Sequence, residues 1–503
     1  MSHSAQLVEH HEDNSVMAAL RSPKRLRIEV IAGLVVALAL IPEAISFSII
    51  AGVDPRLGLF ASFTMAVSIA FLGGRPAMIS AATGAVALVI APVARNYGID
   101  YFIATVILAG VFQVLLGVAG VAKMMRFIPR SVMVGFVNSL AILIFLAQVP
   151  HMVDVPFLVY PMIAAGIVVM LVLPRVTDIV PAPLVAIVAI TGVAVVLGLP
   201  LPDVGDEGDL PTSLPSLLFP DVPLNLETLE IIAPYAFAMA LVGLLESLLT
   251  AKLVDDITDT HSDKTREAWG QGAANVITGF FGGMGGCAMI GQTLINVKAS
   301  GARTRISTFM AGVFLLILVV GFGDVVAVIP MAALVAVMIM VAVGTFDWHS
   351  IALPTLRRMP KSENIVMLST VVVVVATHNL AIGVVVGVLV AMTLFARRVA
   401  HLTETHRQVV ENKDGSFSAV YTVTGELFFA SSNDLYTQFE YADDPESVVI
   451  DLTNSHVWDA STVAALDAIA TKYERKGKTV EIIGQNDASA DRHAKLTGQL
   501  PTH

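Results

Sequence analysis

Charge is what this sequence is short of. Of its 503 residues 14% are charged and 55% hydrophobic, with a mean hydropathy of +0.77, where soluble proteins carry about 25% charged residues. The deficit is uneven. Residues 1–399 hold 22 Lys+Arg and 25 Asp+Glu, whereas 400–503 hold 8 and 16, an ordinary soluble density, so the chain divides near residue 400. One cysteine, Cys287, excludes an internal disulfide. The net charge of −11 argues against a nucleic-acid partner. The first 29 residues have no apolar core or cleavage-like site, so the first span is expected to act as the insertion signal. A phosphate-binding loop and a nucleophile triad are both missing, which speaks against a primary pump or an enzyme. Nothing calls for a cofactor.

What is present is a series of apolar stretches, at 30–51, 56–72, 83–95, 101–122, 131–149, 157–173, 183–199, 231–253, 267–281, 291–299, 304–322, 325–344, 364–377 and 380–396. Several are shorter than the roughly 20 residues a span needs, so basic residues must supply the topology. With both termini and alternate loops inside, 20 of the 22 Lys and Arg before residue 400, Arg126 among them, fall inside. Only Arg56 and Arg95 fall outside, and the loop 200–230 carries seven acids and no Lys or Arg. The expectation is fourteen spans in a bacterial-type inner (plasma) membrane, with cytoplasmic ends.

An internal repeat accompanies the spans. Ala37-Leu38 with Glu43 is matched by Ala240-Leu241 with Glu246, Phe71–Gly74 by Phe280–Gly283, and Ala77-Met78-Ile79 by Ala288-Met289-Ile290. The copies begin at spans one and eight. Seven is odd, so the second copy is inverted, the sequence mark of secondary transporters with a site near the midplane.

The third span of each copy points to that site. Residues 76–83 and 285–293 follow Gly-Gly pairs and read as extended, small and semi-polar. The remaining helices, about a dozen residues or roughly 18 Å, cannot cross a ~30 Å core. They are expected to start mid-membrane and face each other, presenting free N–H groups and positive dipole ends to an anion. The competing reading is a pair of structural re-entrant loops.

Two ionisable residues, Glu43 after Pro42 and Glu246, read as well inside helices, where such groups are costly. A carboxyl that can be neutral or charged suits proton coupling, and Glu43 is the candidate proton acceptor; a neutral carboxyl bonded to a nearby carbonyl is the alternative. Phe47, one turn on, is a candidate wall. His378 reads as a surface residue, and Asp255, Asp256, Asp259, His261 and Asp263 as a solvated loop rather than a metal site. In the tail, 418–423, 426–429, 448–452 and 479–483 read as strands and 460–476 as a helix, an α/β pattern with a parallel pair and crossover. The end past Asn486 reads as loose.

The order of "IPEAISFS", "ISAATGAVALV", "LVGLLESLLTAK", "GQTLINVKASGARTR" and "VVIDLTNSHVWDAST", over about residues 20–485, resembles the SulP (sulfate permease) anion transporters. The resemblance implies an all-α, uracil-permease-like seven-plus-seven domain over 30–399 (repeats about 30–199 and 231–396), in which a core moves against a gate. A cytoplasmic STAS domain over 400–503, a homodimer, and a possible protein partner at the STAS domain are also implied. Carried over, the substrate site comprises Glu43, Phe47, Thr83, Gly84, Ala85, Glu246, Gly291, Gln292 and Thr293. Prestin-like members have arginine at the Gln292 position and glutamine at the Glu43 position. The exchange fits proton-coupled symport of a dicarboxylate such as fumarate. Proton-coupled sulfate transport and sodium-coupled bicarbonate uptake near Glu246 and Thr250 are the runners-up, and a membrane sensor is the reading from another class. Related STAS domains carry a phosphorylated serine where this chain has Ala460, which removes that regulation and leaves Ser461 open.

Overall fold

The computed structural model describes residues 15–123, 128–176, 181–400, 403–412 and 415–497. The start of the predicted N-terminal segment (1–14) and Arg126 lie outside them. The chain divides into two compact units between Val388 and Leu389.

The first unit is helical, and each of the fourteen apolar stretches contains helix. Among the described residues six helices are long and apolar enough to cross a membrane, and five more apolar helices have 10–17 residues. The helices sort into two packed groups. Pro23–Ala51, Pro55–Leu72, Gly84–Tyr97 and Ile99–Val118 pack with Leu226–Thr258, Lys264–Phe280 and Arg305–Gly321. Arg130–Gln148, Val159–Val172 and Ala182–Val196 pack with Met331–Thr345 and Lys361–Thr377. Small residues allow the closest approaches, as expected where lipid gives no hydrophobic drive. A Cβ on Gly110 would lie 2.6 Å from the Gly272 carbonyl oxygen, and one on Gly272 2.5 Å from the Val114 nitrogen.

The two interrupted spans meet. Strand β1 (Ser80–Ala81) pairs antiparallel with β2 (Cys287–Ala288), Ser80 opposite Ala288 and Ala81 opposite Cys287. The antiparallel pairing is what inversion of one copy requires. Residues 77–79 precede β1, whereas 288–290 run from β2 into a helix, so the Ala-Met-Ile match is a coincidence of composition. The Glu43/Glu246 and Gly-Gly matches do occupy comparable places.

Two further buried carboxylates escaped the sequence reading because their helices start earlier than the apolar runs. Glu29 accepts the N–H groups of Arg303, Thr304 and Ser307 at 2.8, 3.0 and 3.2 Å. Glu267 accepts those of Gly74 and Arg75 at 2.8 and 2.9 Å. The acidic loop is also more structured than expected. The Leu226 helix runs on through Asp255 and Asp256 to Thr258, and Asp255 pairs with buried Arg75 at 3.0 Å and with Lys264. Asp263 caps the next helix.

The second unit has a four-stranded sheet in the order β3-β4-β5-β6, with β3 at Glu404–Glu411, β4 at Phe417–Leu427, β5 at Ser447–Val457 and β6 at Thr479–Ile483. The pair β5 and β6 is parallel with Ala460–Glu474 crossing between them. The polar edge strand β3 was missed. The segments 418–423 and 426–429 are one strand interrupted by a bulge near Thr422 and Thr424, with Phe429 opening a short helix. The end read as loose forms helix Asp487–Leu496, capped by Asn486. Burial holds the core phenol of Tyr441 neutral, pushing it up to about 12.

Asp459 caps the crossover helix. Its carboxylate accepts the Thr462 N–H at 3.0 Å and the Phe429 N–H at 2.6 Å. Asp459→Ala is expected to cost about 1 kcal/mol, lowering the Tm of this unit by roughly 4–8 °C in calorimetry. An unchanged Tm would mean the cap contributes nothing.

Candidate functional site

A cavity of about 400 Å³ lies between the two helix groups. One side is polar and comes from the interrupted spans and their partners. The Gly84 helix starts here, its Thr83 cap accepting the Val86 N–H. Its 14 residues make it about 21 Å long, too short for a ~30 Å core. Opposite, helix Ile290–Leu294 continues into a π turn at Ile295–Ala299. Both starts open on the cavity, whose lining includes Thr83, Gly84, Ala85, Ile290, Gly291 and Gln292.

Glu43 and Phe47 reach the cavity from the Pro23 helix, and Glu246 from the Leu226 helix. Both carboxyls are buried, at 9% and 7% relative exposure. The Gln292 side chain lines the same cavity as the Glu43 carboxyl. The Cys287 thiol donates to Glu246 Oε2 at 2.9 Å. No Lys, Arg or His lines the cavity among the described residues. Its polarity therefore comes from main-chain N–H groups, the hydroxyls of Thr83 and Thr345, an amide and two titratable acids.

Of the nine residues expected at the site, eight line the cavity and Thr293 does not. One residue along a helix is a turn of about 100°, so Gln292 points in while Thr293 points to β1, accepting the Ile79 N–H at 3.0 Å. The sequence reading missed the second wall. Phe136, Leu140 and Ile144 form an i, i+4, i+8 row on the Arg130 helix, joined by Val341, Gly344 and Thr345 from the Met331 helix. In a chain this apolar such a row looks like any lipid-facing or core stripe.

The comparisons with known proteins fit this geometry. The model of the sulfate permease family matches residues 26–165 and 156–370, and that of the STAS domain matches 407–499. The chain belongs to the sulfate permease family. Among members, YbaR of Bacillus subtilis is 53% identical over 92% of this chain and 95% of its own length. The bicarbonate transporter BicA of Picosynechococcus is 24% identical over 94% of this chain and 91% of its own. The fold agrees as well. Murine Slc26a9, an anion transporter solved in an inward-facing state, superimposes with a TM-score of 0.78 at 16% identity, covering 93% of this chain and 87% of that one. The transmembrane domain of a cyanobacterial BicA gives 0.63 at 24% identity, over 74% and 98%. The sulfate permease family assignment makes the chain a membrane-embedded anion transporter with a C-terminal STAS domain.

Proposed function

We propose that the protein is a proton-coupled symporter of a small dicarboxylate such as fumarate, working by alternating access in a bacterial inner membrane. On this reading it has fourteen spans with both ends cytoplasmic, and works as a homodimer whose STAS domain can meet a cytoplasmic protein. The observation that carries the reading is the cavity lining, in which Glu43 and Glu246 are the titratable side chains. An anion held at the two helix starts sits near both carboxyls. Two unit charges about 4 Å apart cost on the order of 4 kcal/mol at an effective dielectric of 20. Anion binding therefore favours a neutral Glu43, and a proton on Glu43 favours anion binding by the same factor.

Gln292 suits this cycle. An amide donates to a carboxylate through Nε2 and accepts from a carboxylic acid through Oε1. Arginine only donates and would hold Glu43 charged. The proton also reduces the charge that must cross with a dianion.

The likeness to BicA, a bicarbonate transporter, supports a second reading, bicarbonate uptake, which we take as sodium-coupled through Glu246 and Thr250. The Thr250 hydroxyl donates to the Glu246 carbonyl at 2.8 Å, and Thr250 lies behind the cavity lining. Uptake of fumarate, succinate, sulfate and bicarbonate into proteoliposomes, under separate proton and sodium gradients, separates the two. We expect fumarate and succinate to accumulate with the proton gradient and not with sodium. Sodium-driven bicarbonate uptake would replace the reading, and absence of counterflow for all four would favour a sensor.

A further inference from the structure

The Cys287 thiol occupies the junction between the repeats. It lies 2.9 Å from Glu246 Oε2 and 3.1 Å from Thr83 Oγ1, while Thr83 Oγ1 accepts the Val86 N–H at 3.4 Å. Thr83 and Glu246 line the cavity; Cys287 is fully buried just behind it. The three groups thus join the acid of one repeat to the helix cap of the other.

Proton counting gives this chain two states. A charged Glu246 only accepts. The single thiol proton must then point at Glu246, and the Thr83 hydroxyl proton at the sulfur. A protonated Glu246 can donate to the sulfur instead, which turns the thiol proton to Thr83 Oγ1. That oxygen then accepts from both Val86 and Cys287, and the Thr83 hydroxyl proton is released. We propose that Cys287 is a positioning residue that frees the Thr83 hydroxyl to donate to the bound anion only when Glu246 carries a proton. The inference rests on the proton-coupled reading and extends it by giving Glu246 a distinct task.

The surroundings leave this relay little competition. Besides Cys287, the titratable group facing Glu246 is Glu43 across the cavity. The helices packed against the Leu226 helix present uncharged groups near it. These are Gln113 from the Ile99 helix, Asn275 from the Lys264 helix, Thr83 at the Gly84 helix and Gln292 at the Ile290 helix. The titratable Lys264, Arg266 and Glu267 of the Lys264 helix are engaged at its start, with Asp255, with the Phe71 and Leu72 carbonyls, and with the Gly74 and Arg75 N–H groups.

The test is the KM for fumarate at pH 5.5 and 7.5 in proteoliposomes holding the full chain. One hydrogen bond to a charged ligand changes affinity by about tenfold or more. The wild-type ratio of KM at pH 7.5 to KM at pH 5.5 should therefore fall about tenfold in Cys287→Ala and survive in Cys287→Ser, which keeps a donor and an acceptor. A purely structural role would move KM at both pH values alike and leave the ratio unchanged. Should Cys287→Ala yield no folded protein, Thr83→Val carries the same expectation. A wild type whose KM ignores pH sinks the proton-coupled reading and the relay with it. A pH-sensitive wild type beside an equally sensitive Cys287→Ala or Thr83→Val, or a Cys287→Ser that loses the sensitivity, sinks the relay alone.

Discussion

With Glu43→Gln, an inward proton gradient is expected to drive about tenfold less accumulation of fumarate per pH unit than in the wild type, while exchange of labelled for unlabelled anion continues. The substitution preserves shape and leaves Gln292 a partner, but it cannot take up a proton. One pH unit is worth about 1.4 kcal/mol, so each coupled proton concentrates the anion about tenfold per unit, and the variant should lose the factor that belongs to Glu43. Exchange needs only binding and the swing of the core, and a permanently neutral side chain at this place resembles the loaded state. Accumulation that persists at the wild-type level would remove Glu43 from the coupling step.

The other large effect concerns a main-chain approach. A Cβ on Gly286 would lie 1.9 Å from the Ala81 carbonyl oxygen and 2.6 Å from its carbon. Gly286 cannot retreat, because its N–H donates to Asn275 Oδ1 and its carbonyl accepts from Asn275 Nδ2, at 2.8 and 2.9 Å. Asn275 is in turn bonded to Gln113 at 2.8 Å. Gly286→Ala must therefore part β1 from β2, and the cost should exceed the 1–3 kcal/mol of ordinary overpacking. We expect little monodisperse protein in size-exclusion chromatography and no transport. Gly291→Ala is the matched control. Nothing lies within 4 Å of its added methyl, so it should fold normally and weaken the anion's KM. Equal yields for the two variants would show that the clasp tolerates opening.

The pattern of success in reading the sequence has physical reasons. Glu43 and Glu246 were legible because a carboxyl in an apolar run is costly and therefore conspicuous. The helix start at Gly84 was legible because small, semi-polar residues interrupt a long apolar stretch, whereas the extended reading of 285–293 ran too far, since residues 290–293 already form the first turn of helix Ile290–Leu294. Glu29 and Glu267 were hidden, since a carboxylate at the very edge of an apolar run looks solvated until tertiary contacts bury it against backbone donors. The facing direction of Thr293 depends on where its helix begins, which sequence fixes only to within a few residues. The row at Phe136, Leu140 and Ile144 carries no signal beyond hydrophobicity. Strand β3 was hidden for the opposite reason, because an exposed edge strand needs no apolar alternation.

That featureless row has a bearing on how such proteins diversify. Phe136, Leu140, Ile144 and Val341 offer no hydrogen-bonding side chain and Thr345 adds a single hydroxyl, whereas Thr83, Glu43, Glu246 and Gln292 all belong to the opposing group of helices. Most of the chemistry sits on one body and most of the lubrication on the other. Selectivity can then be rewritten by exchanging a few polar groups on the first without re-machining the bearing surface, and the bearing can be altered to change turnover without changing what is carried.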